Sequence, residues 1–139
     1  MKIVRNISAV ILGIIIGGFV NMSLINYGGI LIPPPEGVDP NNFESIRENI
    51  HLYGIIHFLV PFLAHALGTF VGALIASLTA SSHQFKFALS IGCFYLMGGI
   101  TMVMMLPSPL WFNILDLGFA YIPMGYLGWK LSGIFNPKM

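Results

Sequence analysis

Four apolar stretches, each about as long as a membrane-crossing helix, constrain this chain more than any other feature. They occupy roughly residues 4–25, 54–78, 85–106 and 110–131, and the first can continue toward residue 32. A helix rises ~1.5 Å per residue, so about 20 residues match ~30 Å of hydrocarbon. Composition points the same way. The chain is 56% hydrophobic and 8% charged, whereas about a quarter of the residues in soluble domains carry charge. So little charge cannot cover a surface in water, and a bilayer removes the need. The 139 residues therefore read as one transmembrane domain, an all-α antiparallel up-down bundle of four transmembrane helices.

Lys2 and Arg5 precede the first stretch, as they would in a signal peptide. Its apolar core is long for a signal, and no small-x-small cleavage site follows, so a retained helix is expected. The basic residues set the orientation. Lys2, Arg5, Lys86, Lys130 and Lys138 fall on one side of the four-span arrangement, and Arg47 alone on the other. The positive-inside rule then places both termini in the cytoplasm, with a bacterial inner membrane as the expected location.

The loop at residues 33–53 is external and acidic, with Glu36, Asp39, Glu44 and Glu48 against Arg47. Pro33-Pro34-Pro35 should form a stiff exit from the first span. Asp39 reads as a helix N-cap with Pro40 in the first helical position. Phe43, Ile46 and Ile50 follow at helical spacing, which predicts a short amphipathic helix lying on the outer membrane surface.

Helices in lipid approach one another through small residues. Gly13 and Gly17 supply such a strip on the first span, and Gly68 and Gly72 on the second. Either packing within the bundle or a homo-oligomer would use them. Pro61 and Pro123 each remove a backbone hydrogen bond, which predicts kinks freeing the carbonyls of His57 and Phe119.

Polar side chains within the spans are the candidate site. Counting the rise from each outer edge puts Asn21, His57, Thr101 and Asp116 about 5–9 Å deep, with Asn113 just above. His65, Tyr95 and Tyr121 form a second layer ~17 Å down. Asp116 is the only acidic residue within a span. A carboxylate there costs on the order of +3 kcal/mol at the helix centre, so it should find a partner or take up a proton. His57 is the expected partner by depth. The plainer alternative is that Asp116 reaches interfacial water and anchors the outer end.

Chemistry beyond binding finds little support. No Gly-x-Ser-x-Gly or His-Glu-x-x-His motif is present, and no catalytic residue is assigned. Cys93 stands alone and no metal site is assigned. Met97, Met102, Met104 and Met105 carry thioethers suited to Cu(I), but 102, 104 and 105 do not share one helical face. A haem site would require a second axial ligand that no motif supplies. No cofactor is expected, with copper and haem the weak exceptions. No basic tract exists to bind nucleic acid. In size and span number the chain is similar to small multidrug exporters, whose first helix carries a glutamate. The first span here has no acid.

The leading expectation is a non-enzymatic protein that binds or passes a small solute or ion through an outward-facing polar pocket. One rival is an accessory subunit of a larger membrane complex. Another is a membrane-embedded enzyme acting on a lipid or quinone, which predicts a cavity open sideways to lipid.

Overall fold

The computed structural model describes residues 1–135; Lys138, one of the basic residues counted above, lies outside them. The described residues form helices and turns, with no strand. Helix α1 (Lys2–Leu31) is followed by a loop containing α2 (Phe43–Asn49) and a 3-10 turn (Ile50–Leu52). Then come α3 (Ile55–Thr79), α4 (Gln84–Met105), α5 (Leu110–Phe119) and α6 (Ile122–Phe135). Three of these, α1, α3 and α4, are long and apolar enough to cross a membrane.

The stretch at residues 110–131 departs from the expected single helix. It breaks at Ala120 and Tyr121 into α5 and α6. Pro123 explains the position: without an N–H it cannot continue the hydrogen-bond ladder back to Phe119. It sits instead in the first turn of α6, where a missing donor costs nothing. Pro61 stays within a continuous α3.

α1 stops before the three prolines, which disfavour helical geometry in the preceding residue. In the loop, Asp39 is not the cap of α2. Its Oδ1 accepts from the Asn41 N–H at 2.9 Å, forming a local turn. Asn42 is the cap, its Oδ1 accepting from the N–H groups of Glu44 and Ser45. Pro40 and Asn41 are consumed by that turn, so the helix begins three residues later than expected. Ile46 of α2 and Ile50 of the 3-10 turn line a cavity.

α1 and α3 run antiparallel at near-backbone contact. A Cβ on Gly13 would stand 2.7 Å from the Gly72 carbonyl oxygen, and one on Gly17 would stand 2.6 Å from that of Gly68. The small-residue strip is thus used inside the chain. At the end of α3, Arg5 Nε donates to the Thr79 carbonyl at 2.8 Å, and Asn6 Oδ1 accepts from the Ser81 N–H. A cation there also suits the negative end of the helix dipole. His83, in the left-handed region at φ 53°, turns the chain into α4.

α4 runs antiparallel to α5 and α6, with Phe85 against Trp129 and Gly92 against Tyr121. α3 and the α5–α6 pair run parallel: Phe58 meets Phe112, His65 meets Asp116, and Ser77 meets Ser132. The last is a fully buried hydroxyl pair at 2.8 Å. Large apolar side chains face outward along α1, among them Ile7, Ile11, Ile15 and Phe19.

Candidate functional site

A cavity of about 290 Å³ lies at the loop end of the assembly, walled by α1, α3, α4 and α5 and roofed by Pro34, Pro40, Ile46, Ile50 and Tyr53. Its walls are chiefly apolar. His57, His65, Ser108, Asn113 and Asp116 are the polar side chains on its lining.

His65, Asp116 and Tyr121 form one cluster at its base. His65 Nδ1 lies 2.9 and 3.0 Å from the two carboxylate oxygens of Asp116. The Tyr121 hydroxyl donates to Oδ2 at 2.9 Å and stands 3.0 Å from Nδ1. Asp116 and Tyr121 are each 2% exposed, so water does not compete for these bonds. Three elements deliver them: His65 from α3, Asp116 from the last turn of α5, and Tyr121 from the break before α6. The interruption of the fourth apolar stretch is what brings the phenol onto the carboxylate five residues earlier.

Glycines on α4 make room for that break. A Cβ on Gly92 would meet the Tyr121 carbonyl oxygen at 3.1 Å. One on Gly99 would collide with the Tyr121 hydroxyl and stand 2.6 Å from Cζ.

Chemically, the carboxylate accepts from two neighbours at once. Nδ1 stands nearly equidistant from both oxygens, which places a proton on Nδ1; in the neutral imidazole Nε2 is then an acceptor. Among the described residues Nε2 has no hydrogen-bond partner, and His65 lines the cavity. Two atoms are buried without a hydrogen-bond partner among the described residues: Thr69 Oγ1, one turn below His65, and Asn113 Oδ1. The Asn113 amide nitrogen donates to the Ser108 carbonyl.

The expected His57–Asp116 pair does not form. His57 Nδ1 accepts from the Gly54 N–H at 3.0 Å and caps the start of α3, with its ring edge-on to Tyr53. Tyr53, in the loop, has its phenol pushed up by burial. It therefore stays protonated at neutral pH and presents a donor. Asn21 packs with its Cβ 3.0 Å from the position a Gly68 Cβ would take, away from the cavity. Thr101 is exposed and donates to the Met97 carbonyl of its own helix. Tyr95 donates to the Ile14 carbonyl at 2.6 Å, joining α4 to α1 rather than to His65. Of the eight polar residues expected, four line the cavity (His57, His65, Asn113, Asp116) and Tyr121 lies directly beneath.

The methionines scatter: Met102 lines the cavity, while Met97 and Met104 face outward. Among the described residues no group of three His, Cys, Asp or Glu side chains could hold a metal ion. Sequence reading missed the Ser77–Ser132 pair and the Asn6 clamp. Both rest on small polar side chains whose facing direction leaves no mark in composition.

Comparison with known proteins finds no matching family model, no similar curated protein and no similar solved structure.

Proposed function

We propose that this is a four-span membrane protein that binds a small molecule in an outward-facing cavity, with His65, Asp116 and Tyr121 as its polar anchor. The observation that carries this reading is the oriented imidazole at the base of an apolar chamber. In water-filled surface clefts such a cluster would be diluted by solvent. Here it is the principal polar feature that a ligand can meet.

Four spans require α5 and α6 to cross together as one interrupted helix. Discontinuous helices are tolerated in membranes where the irregular backbone is covered by protein, and in transporters they frame binding sites near mid-membrane. The break at Ala120 and Tyr121 lies against Gly92 and beside the cluster, in keeping with both points. Both termini then lie in the cytoplasm and the roofing loop faces outward, following the charge asymmetry.

A second reading, an enzyme acting on a lipid or quinone, draws support from the His65 geometry. A carboxylate holding Nδ1 while Nε2 faces the ligand is the arrangement that prepares a general base. The accessory-subunit reading keeps less support, since the glycine strip is occupied within the chain.

Diethyl pyrocarbonate, which attacks unprotonated imidazole nitrogen, tests the proposal. On delipidated protein His65 should be modified, and adding extract of the host membrane should protect it while exposed His83 stays reactive. If neither the lipid nor the aqueous fraction of the extract protects His65, the cavity is not a binding site. Release of a chemically altered compound would favour the enzyme.

A further inference from the structure

We infer that the occupant is a lipid-soluble molecule with a hydroxyl head group, entering sideways from the outer leaflet between α1 and α4. This rests on the four-span, cavity-binding reading above and specifies its ligand.

The route follows from where α1 and α4 touch. Close approaches between them include Gly13 to Ile91, and Ile14, Gly17 and Gly18 to Tyr95, all around the middle of α1. Beyond Gly18, α1 packs on α3, with Gly28 against Val60. There the cavity is walled by Ile25 and Gly29 of α1 and by Gly99, Met102 and Val103 of α4. Ile25 and Met102 keep more than a third of their surface exposed, and a Cβ on Gly29 would meet nothing within 4 Å. The two helices therefore part around an apolar slot. Both are among the helices apolar enough to cross the membrane, so in the four-span arrangement the slot opens at the outer edge of the hydrocarbon.

The aqueous side is different. The prolines, Ile46 and Ile50 of the roof cover it with apolar side chains. A polar solute from water would meet that cover first, whereas a membrane-dissolved molecule meets only surfaces like its own. A chamber of about 290 Å³ suits a head group and the first part of a chain, the remainder lying in the slot.

The head group follows from the proton on Nδ1. With Nε2 an acceptor, the ligand must bring a donor, and a buried acceptor left unmet is costly. A hydroxyl provides one without adding charge. An ether or ester of the same shape does not.

The test uses full-length protein in nanodiscs and a long-chain alcohol bearing a photoreactive diazirine, with adducts mapped by peptide mass spectrometry. Adducts are expected on Ile25, Met102 and Val103. Unlabelled alcohol should compete better than its methyl ether by on the order of three- to tenfold, the worth of one net hydrogen bond. His65→Leu should erase that preference. Met102→Trp, at a position 41% exposed that folding tolerates, should block the slot and abolish the adducts. Equal competition by the ether overturns the hydroxyl assignment. Adducts spread over Ile15 and Phe19 on the outer face of α1 overturn the lateral route. If the aqueous extract fraction protects His65 from diethyl pyrocarbonate while the slot stays unlabelled, cavity binding stands and the lipid source falls.

Discussion

Asp116 is buried among its hydrogen-bond partners, and that makes it the residue least able to change. In Asp116→Asn an amide nitrogen replaces one of two oxygens facing His65 Nδ1 and the Tyr121 hydroxyl, so one donor must turn away. A loss of roughly 1–3 kcal/mol is expected, read as thermal unfolding in nanodiscs. Nitrogen NMR should show the His65 proton on Nδ1 in the native protein and moved in the variant. Unchanged stability together with an unchanged tautomer would refute the carboxylate's role. Tyr121→Phe keeps the His65 contact and should cost less, about 1 kcal/mol. That the acid needs a partner is legible in the sequence, because lone carboxylates are rare in spans. Which histidine it takes is not. Phe58 and His65, seven residues apart, share the face of α3 that meets α5, as the Phe58–Phe112 rings at 4.9 Å show. His57 is one residue, ~100°, off that face.

At the level of helices, the contacts divide into those that tolerate a methyl group and those that do not. Gly17→Ala directs its Cβ at a backbone carbonyl 2.6 Å away, which cannot swing aside. Separation of α1 from α3 should cost roughly 1–3 kcal/mol. Gly29→Ala, with nothing near, should stay within about 0.5 kcal/mol of the parent. Equal melting temperatures for the two would disprove the close α1–α3 seam. Gly99→Ala is the more informative change, since it displaces the Tyr121 phenol without replacing any polar side chain. The expected result is a moved His65 proton signal and weakened ligand protection in an otherwise folded protein. The small-residue strips were visible from spacing alone. Their partner was not, because i, i+4 glycines serve an internal seam and a dimer equally well. The break between α5 and α6 was half legible: Pro123 marks the place, but a kinked helix and an interrupted one carry the same sequence signal.

Across the whole molecule, the long apolar helices α1, α3 and α4 can be read from hydropathy because the bilayer sets the length of a crossing helix. The roof cannot, since inward-facing Ile46 and Ile50 look the same in sequence as side chains lying on lipid. In a Cys93→Ser background, cysteines replacing Asn41 and Ser82 should label from opposite sides of the membrane. Labelling of both from one side would refute the four-span topology. The order of the helices along the chain has a consequence for synthesis. Translation delivers α3, with His65, before Asp116 exists. The carboxylate therefore meets a waiting imidazole instead of facing hydrocarbon alone at a cost of on the order of 3 kcal/mol. The start of α1 and the end of α6 lie at the same end of the assembly, as Arg5–Thr79 and Ser77–Ser132 indicate, so the two can be joined and the chain reopened at Ser108. In that permutant the acid would be inserted first and its partner last. The amount of protein recovered in the membrane should fall, and Asp116→Asn, harmful in the native order, should partly restore it.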